Sequence, residues 1–163
     1  MELDEVIIAR RSCRYYLPNE VEEDKINLIL KAGMFAPVAC GRYENILLYV
    51  LKGEKLKSLV KAHSFSSKIY GAPLVIMVLH KENNVELRNE DAGAIIQNMC
   101  LKATDLGLGS VFNYSIAQEI KNNPQTIDYL KILNKYDVVA GVAIGYKSSE
   151  KTKNIKHEIK VIY

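Results

Sequence analysis

The stretch from Asp91 to Leu106 constrains the fold more than any other part of the chain. Ala92, Ile95, Ile96, Met99, Cys100, Leu101, Ala103 and Leu106 recur there at helical spacing and cover far more than one stripe. A helix apolar most of the way round has to be buried on several sides. A chain of 163 residues has room for one good core, so this helix should be central to it. The same pattern favours packing against a second copy of the chain, with Gln97 and Asn98 as polar groups seeking partners across that contact. The alternative is a core helix in a monomer. Gly107 follows in the position of a left-handed helix terminator.

The remaining segments supply layers for this helix to pack on. Leu3 to Arg11 reads as a helix with Leu3, Val6 and Ile7 on one face. A second helix starts near Val21, carries Ile26, Ile29, Leu30 and Met34 at helical spacing, and is stopped by Gly33 and Pro37. Asn45 to Leu51 reads as a strand. Gly53 to Ala62 reads as an amphipathic helix with Leu56, Leu59 and Val60 inward. Ser64 to Gly71 is a polar loop, and Pro73 to His80 is a strand apolar on both faces, so it belongs in the middle of its sheet. His80, closing that strand, reads as a strand-terminal surface residue. Lys81 to Glu90 is a polar loop. After Gly107 come a short strand, Val111 to Tyr114, and two helices, Ala117 to Asn123 and Thr126 to Leu133, broken at Pro124. Val138 to Tyr146 is a further strand, and Ile159, Val161 and Ile162 give a last one in a lysine-rich tail. Helices come first, then strands separated by helices without a clean βαβ repeat. That order gives a three-layer α+β fold with a mixed central sheet flanked by helices, in a single domain over residues 1–163.

Composition excludes several function classes. The net charge of +3 and pI of 8.6 come without a basic stripe interleaved with aromatics, which argues against nucleic acid as a partner. The longest apolar run, Pro73 to Leu79, is too short to span a bilayer. The N-terminus carries Glu2, Asp4 and Glu5 and no signal-peptide pattern. Cys13, Cys40 and Cys100 are odd in number and form no C-x-x-C pair, pointing to free thiols in a reducing, cytoplasmic setting. His63, His80 and His157 lack ligand spacing, so no metal site is expected.

Chemistry concentrates in Arg10-Arg11-Ser12-Cys13-Arg14. Three guanidinium groups and a hydroxyl fall within five residues, with no acidic residue between Asp4-Glu5 and Glu20. Guanidinium forks fit phosphate oxygens two at a time and stay charged at any working pH. A phosphate would resolve the charge conflict; the bland alternative is a solvated basic helix end. The segment Ala36 to Tyr43 is small, apolar and punctuated by Pro37 and Gly41, in the manner of loops that line sites. Gly107-x-Gly109 is not a dinucleotide fingerprint, because these glycines close a helix and enter a strand and a third is missing. Side chains, rather than a glycine cradle, would therefore make the phosphate contact.

Taken together, these stretches resemble the nitroreductase family of flavin mononucleotide (FMN) enzymes. Arg10-Arg11-Ser12-Cys13-Arg14 is similar to the family's R-R-S-x-R. Ala36-Pro37 and the following loop are similar to A-P-S-x-x-N-x-Q-P. Asp91 through Gln97-Asn98 to Gly107-Leu108-Gly109-Ser110 is similar to D-x-G-x-x-x-Q-N followed by G-L-G-S. Val139 to Tyr146 is similar to the family's final A-x-x-x-G-Y strand. The resemblance implies a homodimer with FMN at the subunit interface, and hydride transfer from NADH or NADPH through the flavin to a small acceptor such as a nitroaromatic or quinone. It implies that Arg10, Ser12 and Arg14 hold the FMN phosphate with help from the main chain at Arg11. Pro37, Val38, Ala39 and Gly41 of the partner subunit would pack on the flavin ring. The backbone around Tyr114 and Ser115 would face its reactive edge, and Lys153 and Lys156 would match a basic patch near the phosphate.

Two departures shape the expectation. Val38, Gly41, Tyr43 and Glu44 stand where the family commonly has serine, asparagine, glutamine and proline. The ten residues from Lys81 to Glu90 leave no room for the helical insertion that covers many family active sites. An open pocket with loose acceptor specificity follows. The alternative reading is an FMN-binding protein without turnover of its own, acting as a flavin carrier or sensor or reduced by a partner.

Overall fold

In the computed structural model, which describes residues 1–62, 69–81, 87–131, 135–148 and 158–162, the apolar strands meet in one four-stranded sheet of order β1-β2-β4-β3. The strands are β1 (Ile46–Lys52), β2 (Leu74–Lys81), β3 (Gly109–Asn113) and β4 (Tyr136–Gly145). All three pairings are antiparallel. The expected mixed character is confined to one isolated parallel bridge, Ser12 to Ser110, on the β3 side. β2 is central, as its two-sided apolar pattern requires, and Leu74 to His80 are all buried.

Alternation along the strands splits the core into two faces. Leu74, Ile76 and Val78 of β2 join Val142 and Ile144 of β4 beneath α2 (Glu23–Met34) and α4 (Arg88–Asp105). Val75, Met77 and Leu79 with Ala143 face the opposite layer. That layer is formed by α3 (Gly53–Ala62), α5 (Ser115–Asn122) and α6 (Pro124–Leu130), through Leu56, Leu59, Ile116, Ile120 and Leu130. The result is three layers, as the element order predicts. α1 (Leu3–Ala9) packs along α4 with only Val6 buried.

α4 is the central helix. Ile96, Met99 and Ala103 are fully enclosed between α2 and the sheet. Its end is a complete Schellman motif: Leu108 N–H donates to Ala103 O at 2.8 Å and Gly107 N–H to Thr104 O at 3.0 Å, with Gly107 at φ +77°. Asn98 Nδ2 donates to Ala32 O at 3.2 Å, so its partner lies in its own chain rather than across a contact with a second copy; Gln97 is exposed. Gly33 does not stop α2. It is buried in the last turn, where a Cβ would lie 3.0 Å from Met99 Cγ, and the helix needs a glycine there for close packing. In the tail, Ile159, Val161 and Ile162, expected as a last strand, form none and are exposed. The proposed loops Ser64 to Gly71 and Lys81 to Glu90 lie in part outside the described residues; α4 already begins at Arg88.

Candidate functional site

The arginine segment is stapled to the sheet by its own backbone. α1 closes with Arg10 N–H on Val6 O at 3.0 Å. Ser12 then bridges Ser110 at the start of β3, and Cys13 N–H donates to Ser110 O at 2.9 Å. Tyr16 bridges Lys147 just past β4, and Leu17 N–H reaches Tyr146 O at 2.8 Å. The Tyr16 hydroxyl lies 2.8 Å from Cys13 O and 3.0 Å from Ala143 O, both of which accept from it. Burial, with a lesser push from the thiols of Cys13 and Cys100, raises its phenol far above the usual range, so it stays a neutral donor. Gly109 lets the segment lie this close. A Cβ there would stand 2.7 Å from Cys13 Sγ and from Lys147 Cγ.

The three arginines divide their work. Arg11 Nη1 donates to Ile8 O and, at 2.9 Å, to Arg10 O, covering carbonyls that the end of α1 leaves open. Arg10 is half-buried, while Ser12 and Arg14 are exposed. Among the described residues no carboxylate pairs with any of the three, nor with Lys147 beside them. Arg14 lies over the Tyr70 ring, 6.0 Å from its centroid. Beneath them, Ser110 Oγ and Arg11 Nε are buried with no partner at hydrogen-bond geometry among the described residues. Burial pushes the Cys100 thiol up, partly offset by the Ser110 hydroxyl and the Arg10 guanidinium. Arg10 and Arg14 are thus cationic donors with no carboxylate acceptor among the described residues, which a dianion such as phosphate would neutralise.

The second predicted region follows α2. Ala36 is buried, Val38 and Ala39 are half-buried, and Pro37 and Gly41 are exposed. Ala39–Gly41 forms a tight 3-10 turn with Cys40 at φ 54° and Gly41 at φ 65°. Tyr43 Oη donates to Ala36 O at 3.1 Å, and Ala39 N–H donates to Asp91 Oδ1 at 2.7 Å. Beside the loop is an apolar groove of about 440 Å³ lined by Gly33, Met34, Val38, Tyr43, Ile46 and Leu48 among others. Tyr114 is exposed and Ser115 half-buried at the far end of β3, where α5 begins. Asn113, which sequence reading passed over, organises that turn: its Oδ1 accepts from Ser115 Oγ at 2.6 Å and from Ile116 N–H at 3.3 Å. The signal was an asparagine three residues before Ile116, the first apolar residue of the helix.

The loop and the arginine segment are tied near opposite ends of α4. The loop is tied to Asp91 in the first turn of α4, whereas the arginine segment is tied to Ser110, just beyond its last turn. At 1.5 Å per residue, Asp91 and Asp105 alone are about 21 Å apart along the helix. Tyr114 lies about 13 Å along β3 from Ser110. Lys153 and Lys156 lie outside the described residues. Among the described residues no group of three or more histidine, cysteine, aspartate or glutamate side chains could hold a metal. No helix there is long and apolar enough to cross a membrane.

Residues 7–69 and 55–146 match the model of the Nitroreductase family. A protein of Archaeoglobus fulgidus, provisionally named NADH dehydrogenase/NAD(P)H nitroreductase, is 29% identical over 150 residues, covering 90% of this chain and 86% of that one. A protein of the same provisional name from Methanothermobacter thermautotrophicus is 31% identical over 115 residues; the match takes in 69% of this chain and spans 60% of that relative's length. The crystal structure of a nitroreductase with bound FMN from Bacteroides fragilis superimposes with a TM-score of 0.81 at 26% identity, covering 98% of this chain and 95% of that one. The arginine segment, the long central helix and its glycine turn thus sit in a sequence and a fold of one kind, and the chain belongs to the nitroreductase family.

Proposed function

We propose that this protein is an FMN-dependent oxidoreductase that takes reducing equivalents from NADH or NADPH and delivers them to a small oxidised acceptor such as a nitroaromatic or quinone. The observation that carries the reading is the cationic set Arg10, Ser12 and Arg14, held rigidly against β3 with no carboxylate partner among the described residues. When bound, FMN supplies the hydride chemistry, and the protein's part is to bind, orient and tune it. Arg10 and Arg14 bind the phosphate by charge-assisted bonds worth about 1.5–3 kcal/mol each. Ser12 adds a hydroxyl donor, and Arg11, whose side chain is spent on α1, fixes the turn that presents them. The main chain at Tyr114 and Ser115 meets the ring edge.

Pro37, Val38, Ala39 and Gly41 reach the same ligand from a second subunit. The ties of the two regions to opposite ends of α4, the loop to Asp91 and the arginine segment to Ser110 beyond its C-terminus, support this. So does the surface: Leu3, Ile7, Ile8, Met34 and Phe35 are each more than half exposed, a load of apolar side chains that a homodimer would cover. The unpaired thiols of Cys13, Cys40 and Cys100 accord with a cytoplasmic location.

The test mixes the protein with excess FMN, separates it by size exclusion and then adds NADPH and a quinone. Visible flavin absorbance is expected on a species near twice 18.4 kDa, with NADPH oxidised faster than by free FMN. Flavin on a clean monomer contradicts the interface, and a rate no greater than that of free FMN contradicts the activity.

A further inference from the structure

We propose that Asp91, oriented by His80, is a positioning residue that holds the Ala36–Gly41 loop in the shape that meets the cofactor ring. This rests on the reading above, in which that loop packs on FMN. His80 was expected at the surface, yet it is only 2% exposed and Asp91 only 6%. A buried carboxylate is costly unless it is paired and hydrogen-bonded. Asp91 Oδ1 accepts from Ala39 N–H at 2.7 Å, and Oδ2 lies 3.6 Å from His80 Nε2, longer than a hydrogen bond and an ion pair only when the imidazole is protonated. His80 Nδ1 lies 3.0 Å from Lys81 O, a carbonyl that can only accept, so that nitrogen carries a hydrogen; Nε2 donates toward the carboxylate when it carries one too. Asp91 also stands in the first turn of α4, where the helix favours negative charge.

The bond to Ala39 falls where the loop most needs a tie. The next residue, Cys40, is left-handed at φ 54° without being glycine, and Gly41 follows at φ 65°. Such backbone persists only when its surroundings over-determine it. Val38 and Gly41 carry no polar side chain that could fix the loop. The other bonds of the segment are local: Gly41 N–H to Val38 O at 3.0 Å and Tyr43 Oη to Ala36 O at 3.1 Å. Among the described residues Asp91 makes the one hydrogen bond between the turn and the central helix, and its other oxygen faces His80 at the end of β2.

The experiment is amide hydrogen exchange on the cofactor-free protein, followed by the visible spectrum of bound FMN. In Asp91→Ala, exchange at Ala39 should quicken at least tenfold while amides of β4 stay protected, and Asp91→Asn, which keeps an acceptor oxygen, should restore most of the protection. His80→Gln should quicken Ala39 to an intermediate degree. Ala39→Pro deletes the donor itself, at a half-buried position that follows extended Val38 (φ −128°, ψ 152°), and keeps the test open should Asp91→Ala fail to fold. It should quicken Cys40 and Gly41 and shift the spectrum of bound FMN toward that of free FMN. Ala39 exchange unchanged in Asp91→Ala, or uniform loss of protection across α4 and β4, overturns the proposal, as does an unchanged flavin spectrum in Ala39→Pro. If the wild-type protein takes up no FMN, the functional reading fails and the cofactor half of this proposal with it, while exchange still decides the anchor.

Discussion

Replacing Arg14 with alanine will weaken FMN binding by roughly 10- to 100-fold, the loss expected for one charge-assisted contact of about 1.5–3 kcal/mol. Arg14 is exposed and its partners are few: among the described residues it has no carboxylate, and its one recorded contact is the Tyr70 ring at 6.0 Å. A cation–π contact at that distance on the surface is worth at most about 1 kcal/mol, so the fold should tolerate the change. The specificity of the effect is the useful part. Riboflavin lacks the phosphate, so its affinity should barely move, and the preference for FMN over riboflavin should collapse. FMN affinity should also become less sensitive to salt, because one screened charge has gone. Fluorescence titration of both flavins at two ionic strengths measures all of this. Unchanged FMN affinity would refute the phosphate assignment.

Gly109→Ala is expected to damage the same site from beneath. Gly109 does not have the positive φ that favours glycine, so the effect is one of space. The new methyl would stand 2.7 Å from Cys13 Sγ, 2.8 Å from Cys13 Cβ and 2.7 Å from Lys147 Cγ. Lys147 is exposed and can swing away. Cys13 cannot move alone, because its N–H is bonded to Ser110 O at 2.9 Å and its thiol to Tyr15 O at 3.2 Å. The whole arginine segment must lift. Overpacking of this kind costs about 1–3 kcal/mol, a fall in Tm of roughly 2–4 °C per kcal/mol in a domain of this size. FMN affinity should drop by more than tenfold with no donor removed. Gly93→Ala is the control: nothing lies within 4 Å of a Cβ there, and a helix-interior alanine should be neutral or stabilising by up to about 1 kcal/mol. Thermal unfolding and flavin titration of the two variants side by side decide the matter. A Gly109→Ala protein as stable as wild type and binding FMN equally well would show that the close approach is not needed.

The parts of this fold that were legible in sequence are those encoded locally. The apolar pattern of Asp91 to Leu106 is that of a central helix, and Gly107 supplies its Schellman end. The two-sided apolar run into His80 is that of a central strand. Glycines are where local reading failed. Gly33 looks like a helix breaker, but its role is set by Met99, far along the chain. His80 looks like a surface residue because its burial depends on Asp91, on another element. The alternation of Ile159, Val161 and Ile162 resembles a strand, but a pattern does not name a neighbour to pair with, and these residues are exposed. In the site, the arginine cluster was plain, but the division of labour within it was not: that Arg11 turns back onto Ile8 and Arg10 follows from where α1 ends. Asp91 acts through a backbone group of a residue distant in sequence, and no spacing rule announces it, whereas Asn113 left a local signal ahead of its helix.

The measurement that bears most directly on the central claim is the visible spectrum of the purified protein with FMN, taken without oxygen before and after adding NADPH. The account predicts flavin bands that remain with the protein after dialysis, bleach on addition of NADPH, and return when a quinone is supplied. Bound flavin that stays oxidised in the presence of NADPH would contradict the proposed activity and favour a flavin carrier or a protein reduced by a partner. A colourless protein that takes up no FMN would show that the cations at Arg10 and Arg14 serve some other anion.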